Sequence, residues 1–147
     1  MQFRSEPDAP KRGVPPDHRR RALLLAAIAL VVLACLRPWS WVSFETLVPD
    51  VLGPVGWRTP AGFTCVLCHL LVAMLTLLEP GPARAAVRDG SLLLVTAAAL
   101  VLAHRWLLGP GELRGLEASW TFAFYATASL VLWTLWLSAG QLRSRQA

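Results

Sequence analysis

Thr59-Pro-Ala-Gly-Phe-Thr-Cys-Val-Leu-Cys-His-Leu-Leu-Val-Ala-Met-Leu-Thr-Leu-Leu78 runs for 20 residues without one Asp, Glu, Lys or Arg. At about 1.5 Å of rise per residue, a helix of about 20 apolar residues covers the ~30 Å hydrocarbon core of a bilayer. Three other stretches share the property: residues 22–36, 90–104 and 118–142. Every charge in the 147-residue chain falls outside these four windows. The clustering explains a composition that is 55% hydrophobic and 16% charged, with a mean hydropathy of +0.50. Soluble domains carry about 25% charged residues. The pattern excludes an ordinary soluble enzyme, a nucleic-acid-binding domain and a disordered protein, and it predicts an all-α polytopic membrane protein, a four-transmembrane-helix bundle.

The expected organisation follows from the windows and their punctuation. Residues 1–21 are basic and interrupted by Pro7, Pro10, Pro15 and Pro16, which reads as a disordered cytoplasmic tail. The transmembrane domain spans 22–140, with helices over about 22–36, 61–78, 91–108 and 119–140. Residues 141–147 form a second tail. The first window is short for a span, but Arg21 and Arg37 can snorkel outward from its ends. The segment Trp41–Val48 is expected to lie on the membrane surface, because aromatic residues beside a span favour the headgroup zone.

The basic residues give orientation. With the N-terminus inside, ten of the 14 Lys and Arg residues lie on the cytoplasmic side, against four in the reverse arrangement. The positive-inside rule therefore places both termini in the cytoplasm of a plasma (inner) membrane. The net charge of +5 and pI near 10.1 are accounted for by topology and by attraction to anionic lipid, not by nucleic acid. An alternative reading of the N-terminus is a signal peptide, with Val32-Leu33-Ala34-Cys35 loosely matching a bacterial lipoprotein cleavage site.

Chemistry centres on Cys65-Val-Leu-Cys68-His69. Cysteines three apart on a helix lie about one turn from each other. Helices 2 and 3 are antiparallel neighbours turning near residue 85, which puts His104 at the depth of Cys65 and His69. Cys35 ends helix 1 on the same outer side. Three readings follow: small polarizable side chains filling helix contacts, a thiol–disulfide pair at Cys65 and Cys68 with Cys35 as a third thiol, or a metal or haem site. Cys-x-x-Cys-His is the attachment motif of c-type haem, with His69 as one axial ligand and Met74 or His104 as the other. Zinc or copper would take Cys65, Cys68, His69 and His104.

Cys65-Val-Leu-Cys68 at the opening of the second of four helices resembles the DsbB-type membrane oxidoreductases, which pass electrons from a periplasmic thiol oxidase to a quinone. The resemblance covers this tetrapeptide and the helix layout, and implies that Cys65 and Cys68 form the quinone-linked pair. The sequence departs from that family in three places. Loop 105–119 has no cysteine, Leu70 to Leu78 carry no basic residue, and His69 directly follows the pair.

No Asp or Glu lies inside a predicted span, although proton relays and ion-coupled transporters normally place ionisable groups there. Small residues line several helices: Ala22, Ala26 and Ala29 in helix 1, Ala97, Ala98, Ala99 and Ala103 in helix 3, and Ala126, Ala128 and Ser129 in helix 4. Such faces let helix backbones approach closely in lipid. The expected function is a non-enzymatic accessory or structural subunit, whose partners are the bilayer and other membrane proteins or further copies of this chain.

Overall fold

The computed structural model describes residues 16–44, 50–78, 84–110 and 116–143. Four helices form within them: α1 (Pro16–Cys35), α2 (Pro60–Leu78), α3 (Arg84–Leu107) and α4 (Phe122–Arg143). Consecutive helices pack side by side and α4 packs back on α1, closing a four-membered ring. Three of them are long and apolar enough to cross a membrane, over Pro60–Leu78, Ala86–Leu107 and Phe122–Gly140.

Charge-free windows do not mark where helices end, and the helices outrun them. α1 starts at Pro16 rather than at Ala22, so residues 16–21, expected in the tail, are helical. Pro16 opens α1 instead of breaking it, because the first helical position needs no N–H donor. Residues 1–15 and 144–147 lie outside the described residues. α3 likewise begins seven residues before Ser91, at Arg84, and α4 runs on to Arg143 but starts at Phe122 instead of Ser119.

The loops are more ordered than an all-α reading allows. β1 (Ser40–Phe44), β2 (Val51–Leu52) and β3 (Leu116–Trp120) form an antiparallel sheet with β1 in the centre. Trp41 sits opposite Leu52 on one side and Ser119 on the other. The part of the expected surface segment that is described, Trp41–Phe44, is therefore a strand. Its partner β3 is about 75 residues away along the chain, so no local pattern reveals the pairing. The sheet exists because both loops leave the same end of the bundle.

Capping bonds fix where helices begin and end at this sheet end. The Thr59 hydroxyl accepts from the Gly62 N–H (3.1 Å) and donates to the Gly56 carbonyl (2.7 Å). It thereby satisfies one of the unpaired donors of the first turn of α2. Thr121 precedes α4 and donates its hydroxyl to the Pro38 carbonyl (2.6 Å), while its N–H donates to the Trp39 carbonyl (3.0 Å). α3 closes on Gly109, whose φ of +78° is the left-handed conformation that favours glycine.

The interior has two layers. Near the sheet, Val31, Cys35, Trp39, Ala61, Cys65, Cys68, Ala98, Leu102, Phe124 and Val131 pack together. Towards the other end lie Leu24, Ala27, Ile28, Val72, Val95 and Leu137.

Candidate functional site: a buried thiol and imidazole layer

On α2 the positions 61, 65, 68, 69 and 72 face inward, as a period of 3.6 residues requires. Cys65 and His69 are completely buried and Cys68 nearly so. Cys35, also completely buried, reaches the same layer from the last turn of α1. The connection brings it there: the Gly56 N–H donates to the Arg37 carbonyl (2.9 Å), and the Trp39 N–H to the Pro54 carbonyl (3.3 Å). These bonds hold the exit of α1 against the approach to α2. Cys35 and Cys65 thus belong to one buried cluster. All three cysteines are free thiols.

His69 crosses the bundle. Its Nδ1 lies 2.8 Å from the Cys65 carbonyl and 3.8 Å from Cys65 Sγ. A carbonyl only accepts, so Nδ1 carries a proton and donates it. In a neutral imidazole Nε2 is then an acceptor, and it faces the Thr134 hydroxyl of α4 at 3.1 Å. That hydroxyl also lies 2.8 Å from the Val131 carbonyl. One hydroxyl hydrogen thus faces two acceptors. The two acceptors are the Val131 carbonyl on its own helix and His69 Nε2 across the bundle.

A roof of aromatic rings closes the layer on the sheet side. Trp39 is 1% exposed and meets the Phe124 ring edge-on, at 5.4 Å and 80°. Trp120 stacks on the other side of Phe124 at 4.0 Å, and the Arg105 guanidinium lies 5.0 Å above Trp120. The indole of Trp39 fits because Gly56 and Gly62 leave it space: a Cβ on Gly56 would strike the indole, and one on Gly62 would strike the Gly56 carbonyl. Trp39 Nε1 and Ser138 Oγ are the two buried side-chain polar atoms without a partner among the described residues.

The arrangement separates the residues singled out from sequence. Cys35, Cys65, Cys68 and His69 come together. His104 does not join them, since it lies on the exposed side of α3, and Met74 is also exposed. Among the described residues no group of three or more His, Cys, Asp or Glu side chains is arranged to hold a metal. Both ring nitrogens of His69 already have protein partners. The four residues expected to hold zinc or copper are therefore not brought together, since His104 stands apart from Cys65, Cys68 and His69. A groove of about 680 Å³ does open at the sheet end, between Arg37, Trp41, Leu52, Trp120 and Phe122. None of its lining residues is a cysteine or histidine.

Sequence reasoning missed the polar stripe of α4. Thr127, Thr134 and Ser138 are all buried, at spacings of seven and four that mark one helix face. Three hydroxyls at that spacing in an apolar window were the available signal. Comparison with models of known families, with curated proteins and with solved structures finds no match.

Proposed function

We propose that this chain is a four-helix integral protein of the plasma (inner) membrane, with both termini cytoplasmic. It acts without catalysis, as an accessory subunit packed against other membrane proteins. The observation that carries this reading is the outer face of α1. Ala22, Ala26 and Ala29 are exposed, while Leu24, Ala27, Ile28, Val31 and Cys35 fill the interior. A helix that packed only within its own bundle would gain nothing from small residues pointing away from it. In lipid, small residues spaced four and three apart allow another helix to come close. The interior supports the same reading, because the thiols and the imidazole are buried beneath the aromatic roof.

Mild-detergent extraction and cross-linking from native membranes test the proposal. The wild-type chain should migrate in a complex, and Ala26→Phe should release the partner while reaching the membrane in equal amount. A wild-type chain that migrates as a monomer, or an Ala26→Phe chain that keeps its partner, rejects it.

A second reading, thiol redox chemistry linked to a quinone, is favoured by one observation: three free thiols share a single layer. It requires a lipid-soluble quinone to reach Cys65, and alkylation of that thiol before and after quinone addition measures it.

A further inference from the structure

Three arginines stand at the sheet end among the described residues, and two are already engaged. Arg105 donates to the Gly109 carbonyl (2.7 Å) and lies over the Trp120 ring, and Arg58 lies over the Trp57 ring at 5.7 Å. Arg37 follows the end of α1 and is exposed. Its guanidinium has no ion pair, side-chain hydrogen bond or ring contact among the described residues.

Arg37 lines the groove of about 680 Å³ at this end, a volume within the ~300–1,000 Å³ of small-molecule sites. One wall is the sheet. Leu52, Trp41 and Ser119 stand side by side across β2, β1 and β3, so their side chains share one face. Ser43 lies on that face two residues after Trp41. The other wall joins the exit of α1 to the start of α4 at Phe122. The Thr121 hydroxyl, bonded to the Pro38 carbonyl at 2.6 Å, fixes the spacing of these two segments.

Charge and continuity select the occupant. The lining holds one cation and no carboxylate; Asp50 and Glu117 belong to the same end but not to the groove. The ligand is therefore an anion, without an ammonium group that would need an acidic partner. The groove leads from the sheet onto Phe122, the first residue of the apolar stretch Phe122–Gly140, and Phe122 is 86% exposed. A ligand with its charge at Arg37 thus has apolar surface leading away from it along α4. An anion with a long apolar tail is a phospholipid.

We propose that this groove binds one anionic phospholipid of the phosphatidylglycerol class. Its phosphate pairs with the Arg37 guanidinium, whose fork matches phosphate geometry. Its glycerol hydroxyls meet Ser43 and Ser119, and an acyl chain passes Phe122 onto α4. Ser43 accepts from Trp41 Nε1 (3.1 Å), which leaves its own hydrogen to donate. The proposal rests on the reading of the chain as an integral membrane protein, and not on its role as an accessory subunit.

The test titrates the purified full chain in mild detergent with phosphatidylglycerol and phosphatidylethanolamine of identical acyl chains, read by native mass spectrometry. One phosphatidylglycerol should be retained per chain, in preference to phosphatidylethanolamine. One basic residue at a membrane surface favours an anionic lipid about fivefold, so Arg37→Gln should weaken phosphatidylglycerol by about that factor. Arg58→Gln, outside the groove, should bind as the wild type does. A phosphatidylglycerol with a photoactivatable headgroup should cross-link within residues 37–43 and 119–123. Equal retention of the two lipids, equal losses for the two variants, or cross-links spread over α2 and α3 overturns the proposal. Alkaline carbonate extraction separates this failure from that of the membrane reading. A chain that stays in the pellet but shows no lipid preference refutes the site alone. A chain released into the supernatant refutes the membrane reading and the site with it.

Discussion

Thr134→Val removes one oxygen and keeps the shape of the side chain, so it isolates the bond across the bundle. Thr134 is completely buried on α4, and its hydroxyl is the partner of His69 Nε2 at 3.1 Å. Valine leaves Nε2 with no hydrogen to accept, in a site that water does not reach. An unsatisfied buried acceptor costs about 1–3 kcal/mol. Interhelical hydrogen bonds in membrane bundles average about 0.6 kcal/mol, because the unfolded chain in lipid finds other partners. His69 is 0% exposed, which favours the upper part of the range, and the expected loss is about 1–2 kcal/mol. That corresponds to roughly a 5–30-fold change in the folded-to-unfolded ratio. Thr76→Val is the control. The Thr76 hydroxyl donates to the Val72 carbonyl of its own helix (2.7 Å), and its loss leaves no orphaned ring nitrogen. Reversible unfolding in mixed micelles, followed by circular dichroism, compares the two. His69→Phe combined with Thr134→Val removes both polar partners and should cost less than the two single changes added together. If Thr134→Val costs no more than Thr76→Val, or if the two sites are additive, His69 does not bond across the bundle and the account of its tautomer fails.

Gly62→Ala should destabilise by about 1–3 kcal/mol through overpacking, because its Cβ meets the Gly56 carbonyl and displaces the roof over Trp39. Gly90→Ala, whose Cβ meets nothing closer than Leu75 Cδ1 at 3.9 Å, should be neutral or slightly stabilising, and equal losses for the two would contradict the close approach at Gly62. Reporter fusions at either terminus should both read as cytoplasmic, since ten of 14 basic residues then lie inside; an external signal from either end reverses the orientation.

Three of the four expected spans are helices long and apolar enough to cross a membrane, and they were legible because a charge-free run shows in sequence without any knowledge of packing. The helix ends were less legible. Arg19, Arg20 and Arg21 mark the end of the charge-free run but are themselves helical, since nothing in the backbone of arginine opposes a helix in water. The sheet was not legible at all. Ser40–Phe44 and Leu116–Trp120 are ordinary loop sequences taken singly, and they become strands through each other.

Depth and azimuth account for the cysteine–histidine cluster in the same way. Residue arithmetic places His104 level with Cys65, but level is not adjacent. The inner face of α3 runs Ser91, Val95, Ala98 and Leu102. His104 is two residues beyond Leu102, about 200° around a helix with 3.6 residues per turn, and it points out. α2 and α4 repeat this spacing of three and four with Ala61, Cys65, Cys68 and Val72, and with Phe124, Thr127, Val131, Thr134 and Ser138. A helix that is apolar all round hides such a stripe, because lipid and interior accept the same side chains. The residues that betray it are those lipid would refuse: the hydroxyls of α4 and the imidazole of α2. Read from them, the inner face of α4 runs through Thr134 and that of α2 through His69. Cys65 then falls on the same inner stripe as His69, four residues before it, and Cys35 is brought to it by the loop that closes α1 onto α2. Polar outliers in an apolar helix thus report azimuth, which hydropathy cannot.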